Sequence, residues 1–164
     1  MKIVRLSLAV VAILGLAGIF AGALSAQESS PSDLVGTWVL NLAKSKPDKR
    51  FPITSQTLVI AYSGQTIQFN YTTDGKPLAF TYIVDGKERT TPNPTFKNSA
   101  DIIKATWKKS ALDVVNMRQM GPVGYSVTST FLSEHWTLSS DSKTLTEKTG
   151  SDFDSCHVYV YDKQ

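Results

Sequence analysis

Cysteine and histidine are almost absent from this chain: Cys156, His135 and His157 are all there is of either. A single thiol cannot close an internal disulfide, so Cys156 is expected to act as a small buried hydrophobe, the alternative being a free thiol able to pair between chains. The two histidines, Glu134, Asp152, Asp154 and Cys156 show no spacing that matches a metal motif, and no metal ligand is assigned. No serine nucleophile elbow, phosphate loop or dinucleotide fingerprint occurs, so no catalytic residue or cofactor is assigned either. Net charge is small as well. The formal +3 includes Lys2 and Arg5, and without them about +1 remains, which offers no electrostatic reason to expect nucleic acid or an anionic membrane as partner. Repeats and low-complexity tracts are missing, and the one long apolar run is confined to residues 6–24.

That run follows Lys2 and Arg5, ends in small residues at 21–26 and gives way to the polar Gln27-Glu28-Ser29-Ser30. The pattern is that of a secretory signal peptide over residues 1–26, with cleavage after Ala23, Ser25 or Ala26. An uncleaved anchor is the alternative, because about 20 apolar residues suffice to cross a bilayer. A lipid anchor would need a cysteine at the leader's end, where there is none. The expectation is an exported protein, periplasmic or extracellular, with no stable membrane span after cleavage. Residues 27–164 then form one domain, able to bury roughly two thirds of its unfolded surface. Nothing in the sequence sets an oligomeric state.

After the leader, a period of three to four is hard to find, whereas short runs of alternating polarity recur every eight to twelve residues between turn residues. They predict strands at 37–42, 56–62, 66–72, 78–84, 102–108, 112–117, 125–138, 144–148 and 157–161. Asp74-Gly75 and Asp85-Gly86 supply residues that tolerate positive φ, as two-residue hairpins require, and Ser63-Gly64 and Asp141-Ser142 repeat the signal more weakly. Segments 44–52 and 88–99, charged or polar and proline-bearing, are expected to be surface loops, and Asp33-Leu34-Val35 one helical turn with Ser32 as its cap. Eight or nine hairpin-linked strands without a crossover helix predict an all-β, antiparallel up-and-down barrel, since closure removes exposed sheet edges.

Gly36-Thr37-Trp38 is similar to the Gly-x-Trp signature of lipocalins, in which the tryptophan plugs the closed end of an eight-stranded barrel. The longer run 35–46, with Ser55-Gln56-Thr57, Tyr82 to Lys87, Asp141 to Thr146 and Val160 to Gln164, resembles small exported bacterial lipocalin-like proteins over nearly the whole mature chain. The resemblance implies a calycin-type barrel and an envelope address; it brings no established activity. Two departures stand out: Ser142 replaces the usual glycine of the last hairpin, and no basic residue of the final strand is matched to cover Trp38.

Alternation phased from Trp38 points Trp38, Leu40 and Leu42 inward, then Leu58 and Ile60, Ile67, Phe69 and Tyr71, Phe80, Tyr82 and Val84, Ile103, Ala105 and Trp107, and Leu112 and Val114. For 125–138 the register is ambiguous, because Phe131 and Leu132, or His135 and Trp136, are neighbours on opposite faces; a bulge would reconcile them. The interior set is aromatic-rich and carries few charges, and the carboxylates fall mostly in turns, where solvation is their expected role. A barrel this narrow is either filled by its own side chains or holds one small molecule. If a cavity exists, Trp38, Leu40, Leu58, Ile60, Phe69, Tyr71, Phe80, Tyr82, Trp107 and Phe131 are the candidate ligand-binding residues for a small apolar or amphiphilic molecule held without catalysis. The alternatives are a solid barrel serving as an envelope interaction or structural protein, and an isomerase or hydrolase using His135, Glu134 or His157 as general base. A central void above about 300 Å³ favours the binding reading.

Overall fold

The computed structural model describes residues 30–121, 127–152 and 154–164. The leader and Tyr125, at the start of the expected strand 125–138, lie outside them. A single 3-10 turn, Pro31–Leu34, precedes ten strands: β1 Gly36–Leu40, β2 Gln56–Ser63, β3 Thr66–Thr73, β4 Lys76–Ile83, β5 Arg89–Pro92, β6 Ser99–Lys108, β7 Ala111–Met120, β8 Val127–Leu138, β9 Thr144–Ser151 and β10 Asp154–Lys163. All pair antiparallel in one sheet of order β4-β3-β2-β1-β10-β9-β8-β7-β6-β5. The first strand therefore closes on the last, Leu40 opposite Tyr161, and among the described residues the one break in the ladder falls between β4 and β5. The sheet rolls until its halves meet: the Phe69 ring of β3 lies 4.8 Å from Trp136 of β8, and Tyr82 of β4 hydrogen-bonds Glu134 of β8 at 3.2 Å.

The expected up-and-down barrel is present, with ten strands in place of eight or nine. The additional strand lies in 88–99, expected to be a loop: Arg89–Pro92 pairs with β6, Arg89 opposite Ile103. Pro92 is accommodated because β5 is an edge strand, where a missing N–H forfeits no ladder bond. Asp74-Gly75 makes its hairpin as expected, both residues at positive φ (48° and 79°) between the paired Thr73 and Lys76. Asp85-Gly86 does not. The Gly86 amide donates to the Ala105 carbonyl at 3.0 Å while Arg89 clamps the Asp85 carboxylate at 2.9 and 3.0 Å, so this pair carries the chain across the break in the ladder.

The closed end is built around the 3-10 turn. Its cap is Ser30, not Ser32: the Ser30 amide donates to the Asp33 carboxylate at 2.8 Å. Leu34 is fully buried, and its carbonyl accepts the Trp38 Nε1–H at 2.9 Å. Lys163 Nζ stands 5.1 Å from the Trp38 ring centroid, so the final strand does supply a basic cover for the tryptophan. Gly36 makes room for this stack. Its φ is +145°, where side-chain-bearing residues are strained, and an added Cβ would meet Lys163 Cε at 3.3 Å. Gly36→Ala is expected to cost about 1–3 kcal/mol in urea unfolding, with the Lys163 contact displaced.

Alternation places Trp38, Leu40, Leu58, Ile60, Ile67, Phe69, Ala105, Leu112 and Val114 in the core, as phased from Trp38. Leu42 breaks it and is exposed, because β1 stops at Leu40 and the chain turns, the Lys44 amide bonding back to the Asn41 carbonyl. Phe80 is likewise 42% exposed, as β4 is the strand bordering the open seam. Cys156 is exposed, not buried: its neighbour His157 takes the inner side of β10. In β8 the bulge is found at Phe131, since Leu132 pairs with Asn116 and Thr130 with Met117, leaving Phe131 without an opposite. The bulge lets Phe131 stay on the surface while Trp136 and Glu134 are buried.

Candidate functional site

The barrel is filled at one end and open at the other. Trp38, Ile60, Ile67, Leu112, Trp136 and Leu145, none more than 2% exposed, pack the closed half with Leu34 beneath them. Above this plug lies a cavity of about 220 Å³ lined by Ile53, Gln56, Tyr71, Thr73, Leu78, Phe80, Leu132, Glu134, Glu147, Thr149, Tyr159 and Tyr161. It shares Ile53, Gln56, Thr73, Leu78, Leu132, Thr149 and Tyr159 with a wider cleft of about 910 Å³ at the mouth. The two volumes are thus one passage from solvent to the middle of the barrel.

The mouth is made by the loop after β1, the β3–β4 turn and the bulged start of β8. Lys46 and Val158 exchange backbone hydrogen bonds at 2.6 and 3.0 Å, laying the expected loop 44–52 along β10. Arg50 grips Asp48 at 2.6 Å and holds its carboxyl down at about 2. Asp74 accepts the Thr54 and Ser55 amides at 3.0 and 2.8 Å, tying the turn to the segment before β2. Between these polar clamps the rim is apolar: Phe51, Leu78 and Phe131 are 71%, 55% and 50% exposed. Arg118 lies 4.5 Å from the Phe131 ring centroid and bonds Asp101 at 2.8 Å.

The floor is where the interior departs from expectation. Glu134 and Glu147, buried at 9% and 8% exposure, face it from β8 and β9, so these two carboxylates lie in the interior and not in solvated turns. Glu134 is held on both oxygens, by Trp136 Nε1–H at 3.0 Å and the Tyr82 hydroxyl at 3.2 Å. Glu147 is held on one. Tyr161 has a single proton and two oxygen neighbours, Gln56 Oε1 at 2.7 Å and Glu147 Oε2 at 3.2 Å. One hydroxyl proton cannot serve both acceptors fully at once, so the longer contact, to Glu147, is the weaker of the two. Burial, reinforced by the Glu134 charge, raises Glu147 well above the usual carboxylate range; burial also raises Glu134, against the pull of its two donors. Tyr71 is raised by burial in the same low-dielectric space.

Of the sequence-derived candidates, Tyr71 and Phe80 line the inner cavity and Phe131 lines the mouth, while Tyr82 reaches the floor through Glu134. Trp38, Leu40, Leu58, Ile60, Phe69 and Trp107 belong to the packed cluster and line neither volume. Glu147, Tyr161, Tyr159 and Gln56 were not among the candidate site residues. Alternation could have found Glu147: it and Leu145 are two apart and share a face, as Glu134 and Trp136 do.

The histidines part company. His135 lies on the outer face, 2.6 Å from Asp113. His157 lines the mouth with its Nε2 3.5 Å from Asp48 Oδ2. Among the described residues no group of three or more His, Cys, Asp or Glu is arranged to hold a metal ion.

No family model matches the sequence, and no curated protein matches it. Solved structures do match in fold. The chain is similar to the REP1-NXSQ fatty acid transporter at 12% identity and a TM-score of 0.55, covering 81% of this chain and 97% of that one. It is similar to apo lipid binding protein 8 of Caenorhabditis elegans at 12% identity and a TM-score of 0.53, covering 82% and 98%. Echinococcus granulosus fatty-acid-binding protein 1 aligns at 11% identity and a TM-score of 0.53, over 80% and 98%. At these identities the likeness is one of fold alone: the chain shares an antiparallel β-barrel architecture with these proteins.

Proposed function

We propose that the chain is an exported carrier that holds one small apolar or amphiphilic molecule inside its barrel without transforming it. The observation that carries this reading is the passage from the apolar rim to the Glu134–Glu147 floor: the central cavity, at about 220 Å³, is by itself below the roughly 300 Å³ expected of a binding void, and it exceeds that size only together with the mouth cleft of about 910 Å³ into which it opens. Tyr71, Phe80 and Leu132 supply apolar area, worth about 25 cal/mol per Å² removed from water, and the tyrosine hydroxyls supply orientation. The fatty-acid and lipid carriers that share the fold support the same use of the interior. Export rests on the leader, and amino-terminal sequencing of the secreted chain should begin between Leu24 and Gln27.

Titrating the mature protein with fatty acids, haem and aromatic dyes should give saturable binding of at least one. Thr149 lines both parts of the passage, so Thr149→Trp should fill it and weaken that binding by about tenfold or more with little change in Tm. Absence of saturable binding across the panel, or binding indifferent to the tryptophan, would favour the solid barrel acting through its outer surface.

A further inference from the structure

We infer that the inner cavity selects the head group of an organic cation, a protonated alkylamine being the simplest, and rejects a carboxylate. The inference rests on the carrier reading and names the ligand class for that same passage. Its first ground is the charge of the lining. Among the described residues, Glu134 and Glu147 are the only charged ones around the inner cavity; Arg50, Lys76 and His157 all lie out at the mouth. A carboxylate seated on this floor would meet two acidic groups and no cation, and a buried charge without an opposite partner is costly.

The second ground is an open acceptor. Glu147 lines the cavity with Tyr161 on its Oε2, and among the described residues no protein donor reaches its Oε1, which is left open to the cavity. An ammonium group has donors and no acceptors, so it meets this floor without leaving a new group unsatisfied. Third, the walls above the carboxylates are aromatic: Tyr71, Phe80, Tyr159 and Tyr161 surround the same cavity. Ring faces attract cations, and their combination with a buried carboxylate suits an ammonium head.

The passage also dictates orientation. The ammonium sits on the floor between Glu147 and the tyrosines, and its alkyl tail runs outward past Leu132 and Leu78 to Phe51 and Phe131 at the rim. Seating the cation favours the charged form of Glu147, so that the ligand's charge is met by a carboxylate. The apolar tail provides most of the affinity; the floor provides discrimination between heads.

Dodecylammonium, dodecanol and dodecanoate share one tail, and calorimetric titration of the mature protein with each at pH 7, below their micellar concentrations, separates the two contributions. Dodecylammonium should bind at least about tenfold tighter than dodecanoate, with dodecanol between them. Glu147→Gln should abolish the preference for the ammonium while leaving dodecanol affinity within about threefold, and Glu134→Gln should reduce it in the same direction, so either variant suffices if the other does not fold. Dodecanoate binding as tightly as the ammonium, or an ammonium preference unchanged in a folded glutamine variant, overturns the inference and leaves the carrier reading standing. If none of the three binds, the inference falls, and the carrier reading stands or falls on the haem and dye titrations of its own panel.

Discussion

Trp136→Ala is expected to lower the unfolding free energy by about 3–5 kcal/mol, a large share of the roughly 5–15 kcal/mol that holds a domain folded. Trp136 is fully buried, its ring 4.8 Å from Phe69 and 6.2 Å from Tyr161, so truncation opens a cavity in the plug beneath the floor. It also removes the indole N–H that Glu134 Oε2 accepts at 3.0 Å, leaving a buried carboxylate short of a donor. Trp136→Phe separates the two effects, because the ring remains and the donor goes. That variant should cost about 1–2 kcal/mol and show its loss most strongly above neutral pH, where Glu134 is asked to carry charge. Urea unfolding at pH 5 and pH 8 measures both. Equal losses for Phe at the two pH values would mean that the indole bond does nothing for Glu134.

Stability should fall as pH rises from about 5 to 8, the reverse of the usual trend toward a maximum near neutrality. In the folded chain burial raises Glu134 and Glu147, so they keep protons that the unfolded chain, with carboxyls near 4.3, releases. Where the folded state binds more protons, raising the pH favours unfolding, by at most about 1.4 kcal/mol per pH unit for each group. Their contribution is complete below the unfolded pKa and is lost as pH climbs toward the folded values. Asp48, Asp74, Asp85, Asp101, Asp141 and Asp162 are held below the ordinary carboxylate range, chiefly by hydrogen bonds from their neighbours, and they act oppositely, losing their contribution as pH drops through the folded values. Together the two sets place maximal stability on the acid side of neutrality. Glu147→Leu, which replaces a buried acid held by one hydrogen bond with an apolar group of similar length, should raise Tm by several degrees at pH 8 and leave it nearly unchanged at pH 4. A wild-type Tm that is flat or rising between pH 5 and 8 would show that both acids ionise in the fold at no cost.

The strands and most of their faces were legible because a strand's side-chain period is local. Gly36-Thr37-Trp38 marks the entry to β1, Ile103, Ala105 and Trp107 declare an inner face, and Asp74-Gly75 declares its hairpin. Errors came where a local signal meets two outcomes. Asp85-Gly86 has hairpin chemistry, but its neighbours Gln65 and Ala105 pull the chain from one side of the seam to the other, the Val84 amide bonding Gln65 and the Gly86 amide bonding Ala105. Arg89–Pro92 looks like loop because proline ends ladders, and an edge strand does not mind. Leu42 follows Leu40 in parity only if the strand continues, and it does not.

The sequence by itself determined an antiparallel, hairpin-linked β domain, the tryptophan plug and which side of most strands faces inward, because each depends on residues within a few positions of one another. Only the tertiary structure decided that the plug fills half the barrel and leaves the other half open, since that is a difference between the volume the strands enclose and the volume their side chains occupy. It also decided that Glu134 is joined to Tyr82, 52 residues away, and Glu147 to Tyr161, 14 away, on one floor. Alternation assigns a residue to a face; the register and closure of the sheet, set by β1 pairing with β10, determine which residues on that face become neighbours.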